Sequence, residues 1–139
     1  MSGILLVRDV MTRGVKTIRP EDTVLEAVSK MNKFHIGSIV VTNNGRPMGI
    51  ITERDILVKV VEPCMDPASI RVKDVMSKPV VTIEPNAAVE EAAKIMARAR
   101  IKKLPVVEGG KLVGIVTTTD IARASPTHIG IIEELMRVR

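Results

Sequence analysis

Eight residues of this chain are written twice. GIITERDI at 49–56 returns as GIVTTTDI at 114–121, displaced by 65 positions. At that displacement residues 8–58 align on 73–123 without a gap. Asp9/Asp74, Met11/Met76, Thr17/Thr82, Ile18/Ile83, Pro20/Pro85, Ala27/Ala92, Met31/Met96, Gly45/Gly110, Gly49/Gly114, Thr52/Thr117 and Asp55/Asp120 coincide. A repeat limits the fold severely, because each copy must be one supersecondary unit that buries its apolar face against a neighbour. A unit of about 51 residues buries too little surface to stand comfortably alone, so the two are expected to share one core.

Each copy reads β-α-β-β-α. An extended stretch, Val15–Ile18 or Val80–Ile83, stops at Pro20 or Pro85. A helix follows, with Val24, Ala27, Val28, Met31 and Phe34 on one face. Thr23 and Glu26 form a capping box at its start, and Asn86 is the expected cap in the second copy. Strands at Ser38–Thr42 and Pro47–Thr52 flank Asn43-Asn44-Gly45-Arg46, and Gly109-Gly110 takes the same place later. A last helix begins at Thr52 or Thr117. The linker Val60–Ser69 carries Pro63 and Pro67, which favour a turn over a continuing helix. The expected divisions are 1–62, a linker 63–69, 70–124, and a C-terminal helix 125–139 with an apolar stripe of Ile129, Ile132, Leu135 and Met136.

Composition narrows the function. Apolar residues make up 45% of the 139, enough for a packed core, with one Phe and no Trp or Tyr. The core is therefore aliphatic. Cys64 is alone, which fits a reducing compartment. No apolar run approaches a membrane span, and the N-terminus lacks the basic start of a signal peptide. The expectation is a cytoplasmic protein with no membrane partner. A net charge of +5 favours anionic partners. Nucleic acid is disfavoured, since no aromatic stacking set or helix–turn–helix pattern accompanies the charge. His35, His128 and Cys64 are too few and too scattered for a metal site. No nucleophile–base pair or glycine-rich phosphate loop is present, so no catalysis and no required cofactor are expected.

Thr52-Glu53-Arg54-Asp55 and Thr117-Thr118-Thr119-Asp120 stand where a strand gives way to a helix. Two readings share that geometry. In one, Thr caps the helix and Asp reaches back to it. In the other, the helix start and Thr hydroxyl face a phosphate, while Asp accepts hydrogen bonds from a ribose diol. Arg54 in a first turn opposes the helix dipole, which favours a bound anion.

The full ordered pattern resembles a tandem pair of cystathionine-β-synthase (CBS) domains, a Bateman module. It comprises D-V-M at 9–11 and 74–76, T-I-x-P at 17–20 and 82–85, L-P-V-V at 104–107, and G-h-h-T-x-x-D at 49–55 and 114–120. The resemblance covers 7–123. It implies an α+β fold of two β-α-β-β-α repeats packed with pseudo-twofold symmetry. It further implies a regulatory sensor of adenine nucleotides (AMP, ADP, ATP) or related adenosyl ligands such as S-adenosylmethionine, bound in clefts between the repeats. A homodimer and an unidentified regulated protein are the implied partners. By position, Asp55 and Asp120 match the ribose-binding residues. Thr52, Arg54, Thr117, Thr118, Thr119, Lys102, Lys103, Arg100, His35 and Ser38 fall at phosphate-facing positions. Val15, Thr17, Ile18, Ile36, Val80, Thr82, Ile83, Ile101 and Pro105 fall at adenine-facing ones, where a core role explains the apolar residues equally well. A second reading keeps the fold as an interaction scaffold with vestigial clefts.

Overall fold

A computed structural model describes residues 4–124 together with 130, 133 and 134. The order of elements is α1 (Val7–Val10), β1 (Thr17–Ile18), α2 (Val24–Phe34), β2 (Ser38–Asn43), β3 (Arg46–Thr52), α3 (Glu53–Ile56), a π-helical turn (Leu57–Val61), a 3-10 turn (Val72–Asp74), α4 (Val89–Ala99), β4 (Lys103–Glu108), β5 (Lys111–Thr117) and α5 (Thr118–Ala124). The fold is α+β, and each repeat supplies helices and strands. The C-terminal helix expected at 125–139 falls almost wholly outside the described residues.

The compact units cut across the repeats. Residues 16–80 form one unit; the segment up to residue 15 joins the residues from 81 onward in the other. Each repeat's leading segment, ending in D-V-M, therefore belongs to the unit built from the other repeat's strands.

In the unit of residues 16–80, β1 runs parallel to β2, and β2 pairs antiparallel with β3. Thr23 caps α2 and Glu26 completes the box, with the Thr23 oxygen accepting the Glu26 N–H at 3.1 Å. Val24, Ala27 and Met31 face the core, whereas Val28 is exposed. Phe34, at the rim, lies under the Lys16 ammonium at 4.5 Å. Asn44 and Gly45 both take positive φ, 53° and 80°, so the Asn-Gly pair makes the two-residue turn that suits strand twist. The linker folds back on the start of α2, where Val24 N–H donates to Ile70 O and Val72 N–H to Asp22 O. Val72, Val75 and Met76 then enter the core beside Ile18, Ile39, Val41 and Ile51.

The second unit repeats this plan. Val7 enters a core of Val89, Ala92, Met96, Leu104, Val116 and Ile121. Val7 N–H donates to Ala87 O and Val89 N–H to Leu5 O. Two expectations are corrected here. Asn86 does not cap α4; the cap position is Ala88, and the Asn86 amide oxygen accepts instead from Arg8. Val80–Ile83 does not form a strand, and only Ile83 bridges to Val106. The cause is Pro105, which stands where the first repeat has Val40, the partner of Thr17. Proline lacks the N–H that extends the ladder past Ile83.

The repeated glycine has a physical reason. Met76-Ser77 crosses β3 at Gly49, with Ser77 N–H donating to Ile50 O at 2.8 Å and Ile50 N–H to Ser77 O at 3.0 Å. A Cβ on Gly49 would meet Met76 Sδ and Ser77 O, both at 2.8 Å. Gly114 meets Met11 Sδ at 2.7 Å in the same manner, where Thr12 and Ile115 exchange hydrogen bonds.

Candidate functional site

Strand β3 is buried at Ile51, and the chain turns polar at Thr52, where α3 begins. The Thr52 hydroxyl oxygen accepts the Asp55 N–H at 3.1 Å; Asp55 Oδ2 accepts the Thr52 N–H at 3.0 Å and its hydroxyl at 2.9 Å. The capping box is thus formed. At the second repeat Thr117 Oγ1 accepts the Asp120 N–H at 3.1 Å, and Asp120 Oδ2 accepts the Thr117 N–H at 3.0 Å. Glu53 N–H donates to Gly37 O, and Thr118 N–H to Lys102 O, each at 3.0 Å. Three backbone donors at each helix start are therefore satisfied within the unit.

Asp55 and Asp120 are each 6% exposed, and they are the only buried polar or charged residues among those described. A buried carboxylate is costly unless paired. Part of the pairing comes from the exchanged leading segment. Ser77 Oγ donates to Asp55 Oδ1 at 2.7 Å, and Thr12 Oγ1 lies 3.2 and 3.3 Å from the two Asp120 oxygens. Ser77 and Thr12 are equivalent in the repeat. Asp55 has an additional partner: Lys59 Nζ lies 3.1 Å from Oδ1 and 2.8 Å from Val75 O. Burial alone would raise the Asp55 pKa, but the Ser77, Thr52 and Lys59 hydrogen bonds outweigh it and hold it below the ordinary value.

A family model for the CBS domain matches residues 7–62 and 72–127. The chain belongs to the CBS-domain family. It is 43% identical over 133 residues to MK0525 of Methanopyrus kandleri, covering 94% of this chain and 68% of that protein. An inosine-5'-monophosphate dehydrogenase of Korarchaeum cryptofilum is 39% identical over 117 residues, which are 84% of this chain and 22% of the enzyme. Among solved structures, the CBS domain protein TA0289 of Thermoplasma acidophilum superposes with a TM-score of 0.83 at 29% identity, covering 98% of this chain and 78% of that one. The CBS pair is a regulatory module, and the match to the dehydrogenase accounts for under a quarter of that enzyme. No helix among the described residues is long and apolar enough to cross a membrane.

Around each CBS carboxylate the structure gathers part of the expected set. Ser38 pairs with Thr52 across β2–β3, and Lys103 with Thr117 across β4–β5. Gly37 and Lys102 precede them. Arg54, Thr119 and Lys102 are exposed. His35 and Arg100 occupy the same position, the left-handed C-cap of α2 or α4, with φ of 54° and 58°. His35 and Ile36 line a groove of about 680 Å3 with Val28, Glu53 and Leu57. Thr82 and Ile83 line a separate cavity of about 620 Å3 with Glu84, Asn86 and Gly109. Among the positions expected to face adenine, Ile18, Ile83 and Pro105 are buried, and Val15, Thr17, Ile36, Val80 and Ile101 are half-buried. Ile18 and Ile83 pack in the two cores, as the structural reading of them anticipates.

Sequence reasoning missed Lys59, Ser77 and Thr12. Lys59 was visible as an i,i+4 partner of Asp55. Ser77 and Thr12 carried a fainter sign, a hydroxyl directly after the repeated methionine.

Proposed function

We propose that this CBS pair is a regulatory, non-catalytic module that binds an adenosine-containing ligand, with a buried aspartate as the ribose acceptor and nearby cations as the phosphate partners. The observation that carries the reading is the pair of Asp residues, equivalent in the repeat, that are the only buried charges among the described residues. The capping box orients each carboxylate, and an acceptor-only group of fixed direction suits a ribose diol. Arg54, Lys102, Lys103 and Arg100 supply positive charge for one or more phosphates. Capping and ligand binding coexist, since a carboxylate has more lone pairs than the box consumes. Binding to the folded state alone raises thermal stability by linkage. AMP at millimolar concentration is expected to raise the melting temperature and to release heat on titration; a flat titration with AMP, ATP and S-adenosylmethionine alike rejects the reading.

A specific observation also favours self-association. Leu25, Leu57, Val58 and Val61 are exposed at 46–59% along α2 and the π-helical turn. We propose that they pair in a homodimer, the commonest closed arrangement. Light scattering at micromolar concentration should give twice the chain mass, and charged replacements at Leu57 and Val61 should halve it.

A further inference from the structure

The two aspartates are not equally available. Asp55 Oδ1 accepts from Ser77 Oγ at 2.7 Å and from Lys59 Nζ at 3.1 Å, while Oδ2 accepts the Thr52 N–H at 3.0 Å and hydroxyl at 2.9 Å. A carboxylate offers about four lone-pair directions, so Asp55 is saturated. Asp120 Oδ2 accepts the Thr117 N–H at 3.0 Å. Its one further hydrogen-bond partner among the described residues is Thr12 Oγ1, shared between the two oxygens at 3.2 and 3.3 Å. Arg123 Nη1 stands 3.8 Å from Oδ1 on a side chain that is 75% exposed, too far for a hydrogen bond. Asp120 keeps acceptor capacity for two hydroxyls; Asp55 does not.

We propose that Lys59 is a built-in counter-ion that withholds Asp55 from a ribose diol and leaves ligand binding to Asp120. The inference rests on the adenosine reading above. Lys59 is anchored twice, by Asp55 and by Val75 O at 2.8 Å, from the π-helical turn that follows α3. A ribose hydroxyl that displaced it would exchange a pair of opposite charges for a hydrogen bond from an uncharged donor and would leave the Lys59 ammonium without its carboxylate. The second repeat has Ala124 at the position equivalent to Lys59, and its nearby cation, Arg123, stands beyond hydrogen-bond reach of Asp120. Ser77 and Thr12 are equivalent hydroxyls, and so are Thr52 and Thr117, although only the Thr52 hydroxyl donates to its aspartate; the lysine is the difference that the sequence itself writes. The molecule is thus asymmetric in function where its fold is repeated.

The test transfers the lysine. Calorimetric titration with AMP is run on the parent, Lys59→Met, Ala124→Lys and Asp120→Asn, each checked for a cooperative melt. Lys59→Met keeps the apolar stem and removes the ammonium. Ala124 is exposed on α5, one turn after Asp120, where a lysine reaches the carboxylate. The parent should bind one AMP per chain. Lys59→Met should bind a second, and Ala124→Lys should lose about tenfold or more in affinity. Should Ala124→Lys fail to melt cooperatively, Asp120→Asn decides, and the same loss is expected of it. A parent that binds two AMP with equal affinity, a Lys59→Met that still binds one, or an Ala124→Lys that binds like the parent each overturns the inference and leaves the adenosine reading standing. Absence of binding in all four proteins rejects that reading, and the inference with it.

Discussion

Asp55 and Asp120 show how one residue type at one repeated position acquires two environments. Both close a capping box, but Asp55 also holds Lys59 and Ser77. Asp55→Ala leaves the Thr52 cap but removes the reach-back half of the box and the hydrogen bonds from Ser77 and Lys59, and should cost about 2–3 kcal/mol. Asp120→Ala leaves the Thr117 cap but removes the reach-back hydrogen bond and a long shared one, and should cost about 1–2 kcal/mol. Urea unfolding of the two variants should preserve that order. The pH dependence has a definite sign. The Asp55 pKa is lower folded than unfolded, so its stabilisation is complete above the unfolded carboxylate value, about 3.9, and disappears as pH falls through the folded value. The stability gap between parent and Asp55→Ala should therefore close on acidification below about pH 4. The capping box was legible in Thr-x-x-Asp because all its parts lie within one turn. Ser77 was not, since it meets Asp55 from 22 residues away along the chain.

At the scale of elements, the residues that are legible are those whose job is local. Asn44-Gly45 and Thr23-x-x-Glu26 state a turn and a cap in their own chemistry. Asn86 carries the same chemistry, and Arg8 captures its oxygen. Pro105 reads as part of the L-P-V-V motif, which the second repeat alone carries, yet its missing N–H shortens the parallel pairing that Val40 allows. Gly49 and Gly114 are glycine because a segment distant in sequence crosses each strand, which no local pattern reveals. Gly49→Ala forces a Cβ to 2.8 Å from both Met76 Sδ and the Ser77 carbonyl oxygen. In Gly114→Ala the backbone oxygen of Thr12 is further away, 3.1 Å, and the close atom is the sulfur of a flexible methionine. Both should destabilise by about 1–3 kcal/mol, Gly49→Ala the more, and a thermal melt of the two single variants checks the order.

For the whole molecule, repetition revealed two units but not their membership. The natural cut in the sequence falls after Glu62, whereas the unit holding the first repeat's strands continues to residue 80. A fragment of residues 1–62 lacks Val72, Val75 and Met76, which are part of that core. It should show no cooperative melt as a monomer. A fragment of residues 16–80 carries the complete core and should melt cooperatively, at lower temperature than the full chain and independently of concentration.

The exchanged leading segments have a consequence for how such a chain is assembled at all. One repeat made as a separate polypeptide carries the right segment for its strands only in the sense that a second molecule has it to lend. Closing the unit is then a bimolecular event, and its yield depends on dilution. Writing the repeat twice in one chain replaces that encounter with an intramolecular one, at an effective concentration that short connections set in the millimolar range. Tandem duplication here turns a reciprocal loan between strangers into a fold that each molecule completes for itself.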